Sequence, residues 1–225
     1  MRVSSNERIG VYKGKICGEK EVSTEIDRNK LLDKEFWQRA TIGDVTRVIA
    51  EDASVHDRDE NGATPLHYAA ALSRTSEMIM PLFDAGADVR ANDNNGKTPL
   101  HLATALSKIP EIIVLLLDRG ADINSRNENN ATPLLAAAAF NDMPGITALL
   151  LKRGADIHAL GKDGDTPLHF AAGFNKPDVV TLLLEHGANP SVRDNNGKTP
   201  FDWAKKNEFL RGSDVYRLLK EKQFQ

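Results

Sequence analysis

A Thr-Pro motif returns along this chain at a nearly fixed interval. Its threonines are Thr64, Thr98, Thr132, Thr166 and Thr199, which gives successive intervals of 34, 34, 34 and 33 residues by subtraction. A glycine that follows a leucine-rich run keeps the same period, at Gly86, Gly120, Gly154 and Gly187. Two independent landmarks with one period predict stacked repeats instead of a single globular core.

Each repeat is predicted to contain two helices and a polar loop, and residues 97–126 show the pattern most clearly. Thr98 can accept a hydrogen bond from the free amides at a helix start, and Pro99 suits the first helical position because that position needs no N–H. Pro110 starts a second helix, and Gly120 is the expected left-handed residue after its end. The loop that follows has Asn-Asn-Gly turn chemistry.

The pattern D-x-x-G-x-T-P-L-H-x-A-A, followed by L-L-L-x-x-G-A-D, resembles the ankyrin repeat over roughly residues 36–219. The best copies are G-A-T-P-L-H-Y-A-A at residues 62–70 and D-T-P-L-H-F-A-A at residues 165–172. The 34-residue spacing, with Phe-Asn ahead of a proline, is similar to a variant found among bacterial ankyrin proteins. The resemblance implies an all-α solenoid of helix-turn-helix units with extended loops, with about six units including N- and C-terminal caps.

The repeat boundaries predict the organisation of the chain. Residues 1–30 form a polar N-terminal arm, for which a flexible segment is favoured over a small hairpin within residues 8–16. The ankyrin-repeat domain spans residues 31–225, and its parts are a capping repeat at 31–60, full repeats at 61–94, 95–128, 129–162 and 163–195, and a C-terminal cap at 196–225.

Three departures from the repeat carry structural predictions. The first unit has fewer residues between its landmarks, so its second helix should be short. Pro81 aligns with Leu115 inside a second helix, where a proline removes an amide hydrogen bond, so that helix should kink or start late around residues 77–82. The 33-residue unit has lost a residue between its helices, where a turn absorbs a length change more easily than packed helices do.

Composition excludes several classes of function. A formal charge of −3 and a pI near 6.1 give no basic field for nucleic acid. No apolar run approaches the roughly 18 residues that a membrane helix needs. The N-terminal segment lacks the apolar stretch of a secretory signal, and Cys17 is the only cysteine, so a reducing cytoplasm is the expected location. Secretion as a bacterial effector stays open as an alternative.

No motif in the sequence indicates catalysis, a cofactor or a metal. His67, His101 and His169 occupy one position of successive repeats, and in the ankyrin family this histidine hydrogen-bonds within and between loops, which makes a shared metal site the weaker interpretation. Leu135 interrupts this column and should weaken its loop. The repeat motif is assigned a structural role, and its residues are Thr64, Pro65, His67, Thr98, Pro99, His101, Thr132, Pro133, Thr166, Pro167, His169, Thr199 and Pro200.

Two apolar columns also follow the period. Tyr68, Leu102, Ala136, Phe170 and Trp203 align after the histidine position, and Leu72, Leu106, Phe140 and Phe174 align at the end of the first helix. If the second column were exposed, it would form an apolar stripe able to hold a partner helix. The favoured interpretation is structural, because residues repeated in every unit usually serve the repeat.

The resemblance implies a non-enzymatic scaffold or adaptor that binds an unidentified protein partner, as a monomer, through loop tips and a concave face. Alternatives are a regulatory or inhibitory subunit of an enzyme system and a secreted effector adaptor. Asn124 lies in a context that resembles the family's asparagine-hydroxylation site. The candidate protein-binding residues are Glu60, Asn61, Asn94, Asn95, Lys97, Glu128, Asn129, Lys162, Asp163, Asp165, Asn195, Asn196 and Lys198.

Overall fold

The computed structural model describes residues 29–223, and within this range the chain forms α-helices, two short 3₁₀ helices and no β-strand. The α-helices fall into six successive pairs, which agrees with the predicted all-α solenoid of about six units. The pairs are α1 (Lys34–Arg39) with α2 (Ile42–Ala50), α3 (Pro65–Leu72) with α4 (Met80–Asp84), α5 (Pro99–Leu106) with α6 (Pro110–Asp118), α7 (Pro133–Phe140) with α8 (Pro144–Lys152), α9 (Pro167–Phe174) with α10 (Pro177–Glu185), and α11 (Pro200–Ala204) with α12 (Asp214–Lys222).

The Thr-Pro motif starts the first helix of each full unit as predicted. In α5 the side chain of Thr98 accepts a hydrogen bond from the backbone N–H of His101, and Pro99 occupies the first turn. The second helices end before a glycine with a left-handed backbone, such as Gly120 with φ of 92°. A residue with a side chain is strained in that conformation, which explains the period of the glycine.

The core runs along the stack instead of gathering at one centre. First helices pack on first helices, in the order α3, α5, α7, α9 and α11, and the second helices α6, α8, α10 and α12 pack on the first helices of their own units. The apolar side chains between the layers are fully buried, as Leu100, Ile112, Ile113 and Leu116 show in the second full repeat. Each unit therefore depends on its neighbours for burial, as expected for a solenoid.

Buried asparagines connect successive units at the turn between their helices. The side-chain amide of Asn175 donates to the carbonyl oxygens of Ala138 (3.0 Å) and Asn141 (2.9 Å) in the preceding unit. Asn141 and Asn207 make the equivalent pairs of bonds one unit earlier and one unit later. The last carbonyls of an α-helix have no partner within it, so each asparagine satisfies the C-terminal end of its neighbour's first helix.

The 33-residue unit keeps both helices intact, as predicted. Helices α7 and α9 each have 8 residues, and α8 and α10 each have 9. The difference is confined to the turn, where residues 141–143 of one unit correspond to residues 175–176 of the next. The buried asparagine is retained at the start of both turns, so the deletion leaves the inter-unit hydrogen bonds in place.

Pro81 delays its helix as predicted. Residues Ser76–Ile79 form a 3₁₀ helix, and the α-helix begins only at Met80, with the proline in its first turn. Helix α4 has 5 residues, compared with 9 in α6. A proline is tolerated at the first turn of an α-helix but not in its interior, which accounts for the shift.

The prediction of a short second helix in the first unit is wrong. Helix α2 has 9 residues, like the second helices of later units, and it is the first helix, α1, that is reduced to 6. Thr41 and Asp44 form a capping box that fixes the start of α2, so the missing residues come from the helix that lacks a Thr-Pro start.

At the ends of the described range, a 3₁₀ helix at Lys30–Leu32 buries Leu31, whose carbonyl accepts a hydrogen bond from the Trp37 indole (2.9 Å). The predicted arm, with its possible hairpin at residues 8–16, lies outside the described residues. Lys220 and Lys222 occupy the last turn of α12, where cations favour the helix dipole. None of the helices in residues 29–223 combines the length and apolar character that crossing a bilayer requires.

Candidate protein-binding surface

The loop tips are fixed by side-chain oxygens that replace missing backbone partners. In the loop of the second full repeat, one carboxylate oxygen of Asp93 accepts hydrogen bonds from the backbone N–H groups of Asn95 and Lys97, both at 2.8 Å. Asp59, Asn127 and Asp194 make the same pair of bonds in their loops. The loop tips are therefore ordered in the free protein, which lowers the conformational entropy that binding would cost.

The tips are also joined to one another along the stack. The backbone N–H of Asn94 donates to the carbonyl of Asn61 (2.8 Å), and Glu128 donates in the same way to Asn95 (3.0 Å). Lys162 to Asn129 and Asn195 to Asp163 continue the series, both at 2.9 Å. The backbone groups that make these bonds are therefore already paired between units, which leaves the side chains of these residues to contact a partner.

Most candidate side chains are accessible at the tips. Lys97 is half-buried, and the other accessible candidates are exposed, namely Glu60, Asn61, Asn94, Asn95, Glu128, Asn129, Lys162, Asp163, Asn195, Asn196 and Lys198. Asn94 also has a structural bond, since its amide donates to the carbonyl of Glu60 (3.0 Å). The charged tips Glu128 and Lys162 belong to successive units, so the tips differ in charge from unit to unit.

Asp165 is the exception among the candidate residues, because it is only 5% exposed. Its loop has Gly161 where the other loops have Asp or Asn, and Oδ2 of the Asp165 carboxylate fills the space where a Cβ of residue 161 would stand. Burial raises the pKa of this carboxyl above the ordinary value, although the nearby backbone N–H groups of Asp165 itself and Asp163 act to lower it. Asp165 therefore fills the interior of its loop and is not available to a partner.

The histidine column is structural. The backbone N–H of Thr98 donates to Nδ1 of His101 (3.2 Å), so the proton is on Nε2, which donates to the carbonyl of Ala131 in the next unit (2.9 Å). His67 and His169 make equivalent bonds across to Lys97 and Lys198. Burial lowers the pKa of all three imidazoles, which favours the neutral form that this pattern requires.

Both ring nitrogens of each column histidine are thus engaged in hydrogen bonds. In residues 29–223, no three His, Cys, Asp or Glu side chains are grouped closely enough to hold a metal ion. Leu135, which interrupts the column, is 1% exposed. Because its side chain has no hydrogen-bonding group, residue 135 makes no bond of this kind to the unit that follows it.

Three of the four residues of the second apolar column are exposed, contrary to the favoured structural interpretation, whereas Leu72 is partly buried against the core. Leu106, Phe140 and Phe174 are 53%, 73% and 60% exposed, and Phe209, in the loop after α11, is 64% exposed. In α5 the buried side chains Leu100, Ala103 and Thr104 lie on one face, and Leu106 falls on the opposite face with Leu102. We call Leu106, Phe140, Phe174 and Phe209 the apolar stripe.

The apolar stripe borders concavities along the first helices. Phe140, Phe174 and Phe209 line a concavity of about 280 Å³ together with the turn residues Lys108, Asp142 and Lys176. A second one, of about 400 Å³, is lined by Gly173, Phe174, Lys198, Asp202, Trp203 and Lys206. Phe174 also packs edge-on against Trp203, with ring centroids 5.9 Å apart. Apolar concavities with charged margins are typical of binding surfaces.

The charges at these margins are arranged across units. Asp142 forms ion pairs with Lys108 of the preceding unit (2.5 Å) and Lys176 of the following one (2.7 Å). Hydrogen bonds from these two ammonium groups hold the pKa of Asp142 well below its usual range. Asp202 is bonded to Lys205 (2.8 Å) and to Thr199. Both acidic groups are therefore neutralised within the protein.

The model for ankyrin repeats in three copies matches residues 39–127 and 134–225. The chain belongs to the ankyrin-repeat family. No curated protein matches it significantly. Ankyrin repeats are generally protein–protein interaction modules and are typically non-enzymatic, so the loop tips and the first-helix face are the surfaces of interest for function.

Sequence reasoning missed two features of this ankyrin stack. The buried Asn141, Asn175 and Asn207 recur at the same turn, and their period was the signal that could have identified them as inter-unit caps.

Asn124 is exposed, and its side chain links two units by accepting from the N–H of Asp156 (3.0 Å) and donating to the carbonyl of Gly154 (3.4 Å). Its hydroxylation stays a prediction from the family resemblance.

Proposed function

We propose that this ankyrin-repeat protein is a non-enzymatic scaffold that binds a protein partner through its loop tips and the concave face formed by its first helices. The observation that carries the proposal is the rigid display of accessible, unit-specific tip side chains on a hydrogen-bonded backbone. Because the tips are ordered in advance, binding several of them together costs little conformational entropy. A cytoplasmic location and a monomeric state stay predictions.

The tips that differ in charge offer a direct test. We would compare proteins captured by the wild-type chain with those captured by a double variant, Glu128→Lys with Lys162→Glu, which reverses two exposed tip charges. A matched control reverses one acid and one base on exposed positions of the second helices, Glu111→Lys with Lys152→Glu. Both variants conserve net charge, so a difference between them reports position.

The proposal expects a partner that is retained by the second-helix variant and reduced at least about tenfold by the tip variant, since truncating or reversing a central interface charge typically costs that much. Direct binding of the purified partner would then be measured by calorimetry. Equal capture by wild type, tip variant and control would contradict recognition through the tips.

A further inference from the structure

We propose that the apolar stripe and its lysine margin form a docking groove for an acidic amphipathic α-helix of a protein partner. The inference rests on the proposed scaffold function, and it names the chemistry of the segment that the first-helix face takes. Its first support is the exposure of four large apolar side chains, all at least half accessible, aligned along the stack. Isolated exposed apolar residues are ordinary, but a continuous row of them marks an interaction site.

The positive charge of the groove favours a partner segment with negative charge. Four lysines line the two concavities described above, and Lys97 lines a third one, beside Leu102 and Phe140; the four are Lys108, Lys176, Lys198 and Lys206. Two acidic side chains line the same concavities, Asp142 and Asp202, and both already bond lysines. The remaining positive charge favours a partner that carries Asp or Glu beside its apolar face, although the whole chain has a formal charge of −3.

The spacing of the units selects a helix over an extended segment. Packed helices lie about 8–10 Å apart, so equivalent side chains of adjacent first helices repeat at about that distance. An α-helix rises about 1.5 Å per residue, so residues seven apart lie about 10.5 Å apart on one face. An extended chain covers the same distance in three residues, and its side chains alternate between faces. A heptad of apolar residues therefore matches the stripe.

The N-terminal arm and a second copy of the chain are less suited to this groove. Residues 1–28 contain six basic and five acidic side chains, so the arm brings no net negative charge to a lysine margin. A second copy would place the same lysines opposite one another in a symmetric contact, because a two-fold interface pairs a patch with itself. An acidic helix from another protein has neither disadvantage.

The probe is a labelled peptide of about 24 residues, long enough to cross three units as a helix. It carries leucine in a heptad pattern with glutamate on both flanks. One twin has lysine in place of every glutamate, and another has two central prolines that break the helix. Fluorescence anisotropy with the full chain measures Kd for all three. We expect the acidic helix to bind at least about tenfold more tightly than either twin.

Two variants of the chain locate the binding. Phe140→Ala with Phe174→Ala removes stripe side chains that are mostly exposed, so the fold should persist, which circular dichroism checks; Leu160→Ala, at an exposed leucine outside these concavities, is the matched control. The first variant should weaken the acidic peptide at least about tenfold and the control should not. Lys198→Glu with Lys206→Glu should reverse the preference, so that the lysine twin binds more tightly.

Several results would overturn the inference. They are equal binding of the acidic and lysine peptides, equal binding of the proline-broken peptide, or no effect of the stripe variant. A nitroxide on Cys17, the only cysteine, that broadens the amide signals of Phe140 and Phe174 would show that the arm covers the groove. Sedimentation that shows a dimer abolished by Phe174→Ala would show that a second copy does.

The inference and the scaffold proposal fail separately. A captured partner that depends on the tip charges but is unaffected by Phe140→Ala with Phe174→Ala would leave the scaffold function standing and refute the acidic-helix groove. Conversely, tight and stripe-dependent binding of the acidic peptide would support the groove even if the tip variant captured the same proteins as wild type.

Discussion

Replacing Asn175 by alanine should destabilise the stack more than its side-chain size suggests. The residue is 3% exposed, and its amide donates to the carbonyls of Ala138 and Asn141 while its carbonyl accepts from the N–H of Lys176 (2.8 Å). Asn175→Ala leaves two buried carbonyl oxygens without a donor. Each costs about 1–1.5 kcal/mol, so with the lost turn bond we expect a decrease of about 3 kcal/mol in the free energy of unfolding.

Ser107 provides the matched control, because it occupies the same turn position two units earlier. It is also buried, yet its hydroxyl only accepts from the N–H of Ile109 within its own turn (3.1 Å). Ser107→Ala removes one local bond and leaves no cross-unit carbonyl without a donor, so it should cost about 1 kcal/mol. The comparison separates the inter-unit bonds from the general cost of changing a buried turn residue.

Urea unfolding followed by circular dichroism measures both variants under one set of conditions. Asn141→Ala and Asn207→Ala should each behave like Asn175→Ala, because both make two cross-unit bonds. The reasoning would be refuted if Asn175→Ala lost no more stability than Ser107→Ala. That outcome would mean that the carbonyls find other donors once the amide is gone, and that neighbouring units are joined by apolar contacts alone.

Two further predictions concern the loop of Asp165. Burial raises the pKa of this carboxyl in the folded protein, so the stability that its protonated form supplies is present below pH 3.8, the ordinary value, and is lost as the pH rises through the folded pKa. Asp165→Asn cannot ionise, and its advantage in urea midpoint over wild type should grow from pH 3.8 towards neutrality; a constant difference would contradict this. Separately, Gly161→Asp and Asp165→Lys should each destabilise by about 1–3 kcal/mol, the first through a clash and the second by removing the carboxylate that fills the space at Gly161. The double variant restores the Asp93–Lys97 arrangement and should recover most of the loss in a double-mutant cycle.

The periodic part of the fold was predictable because each of its elements has a local cause. Thr98 and Pro99 determine where a helix starts, Gly120 determines where one ends, and Pro81 makes its helix start late. Each of these effects depends on residues close in sequence and on no distant contact. The first unit was predicted wrongly because it lacks the Thr-Pro start. Its missing residues could come from either helix, and the capping box of Thr41 decides in favour of α2.

The candidate surface was less predictable, since it depends on which side of a helix faces a neighbour. Repetition of Leu106, Phe140 and Phe174 favours a structural role, but repetition cannot distinguish a buried face from an exposed one. Helical spacing does not distinguish them either, because Leu106 lies four residues after Leu102 and three residues after the buried Ala103. Asp165 could not be placed from its own position, because its burial follows from the absent side chain at Gly161.

The loop of residues 161–165 has glycine at the position where the other loops have Asp or Asn, and the buried carboxylate of Asp165 fills the space that this leaves. The loop requires one oxygen that accepts from two backbone N–H groups, and four loops supply it from an Asp or Asn at the first position. In the fifth, the carboxylate of Asp165, four residues later, occupies the space left by Gly161, and this position buries an acidic group. Burying an ionisable carboxyl lowers the stability of this loop, and the same unit also lacks the inter-unit histidine hydrogen bond, because residue 135 is leucine. We therefore expect this loop to open more readily than its neighbours, with faster amide exchange at Gly164 than at Gly96.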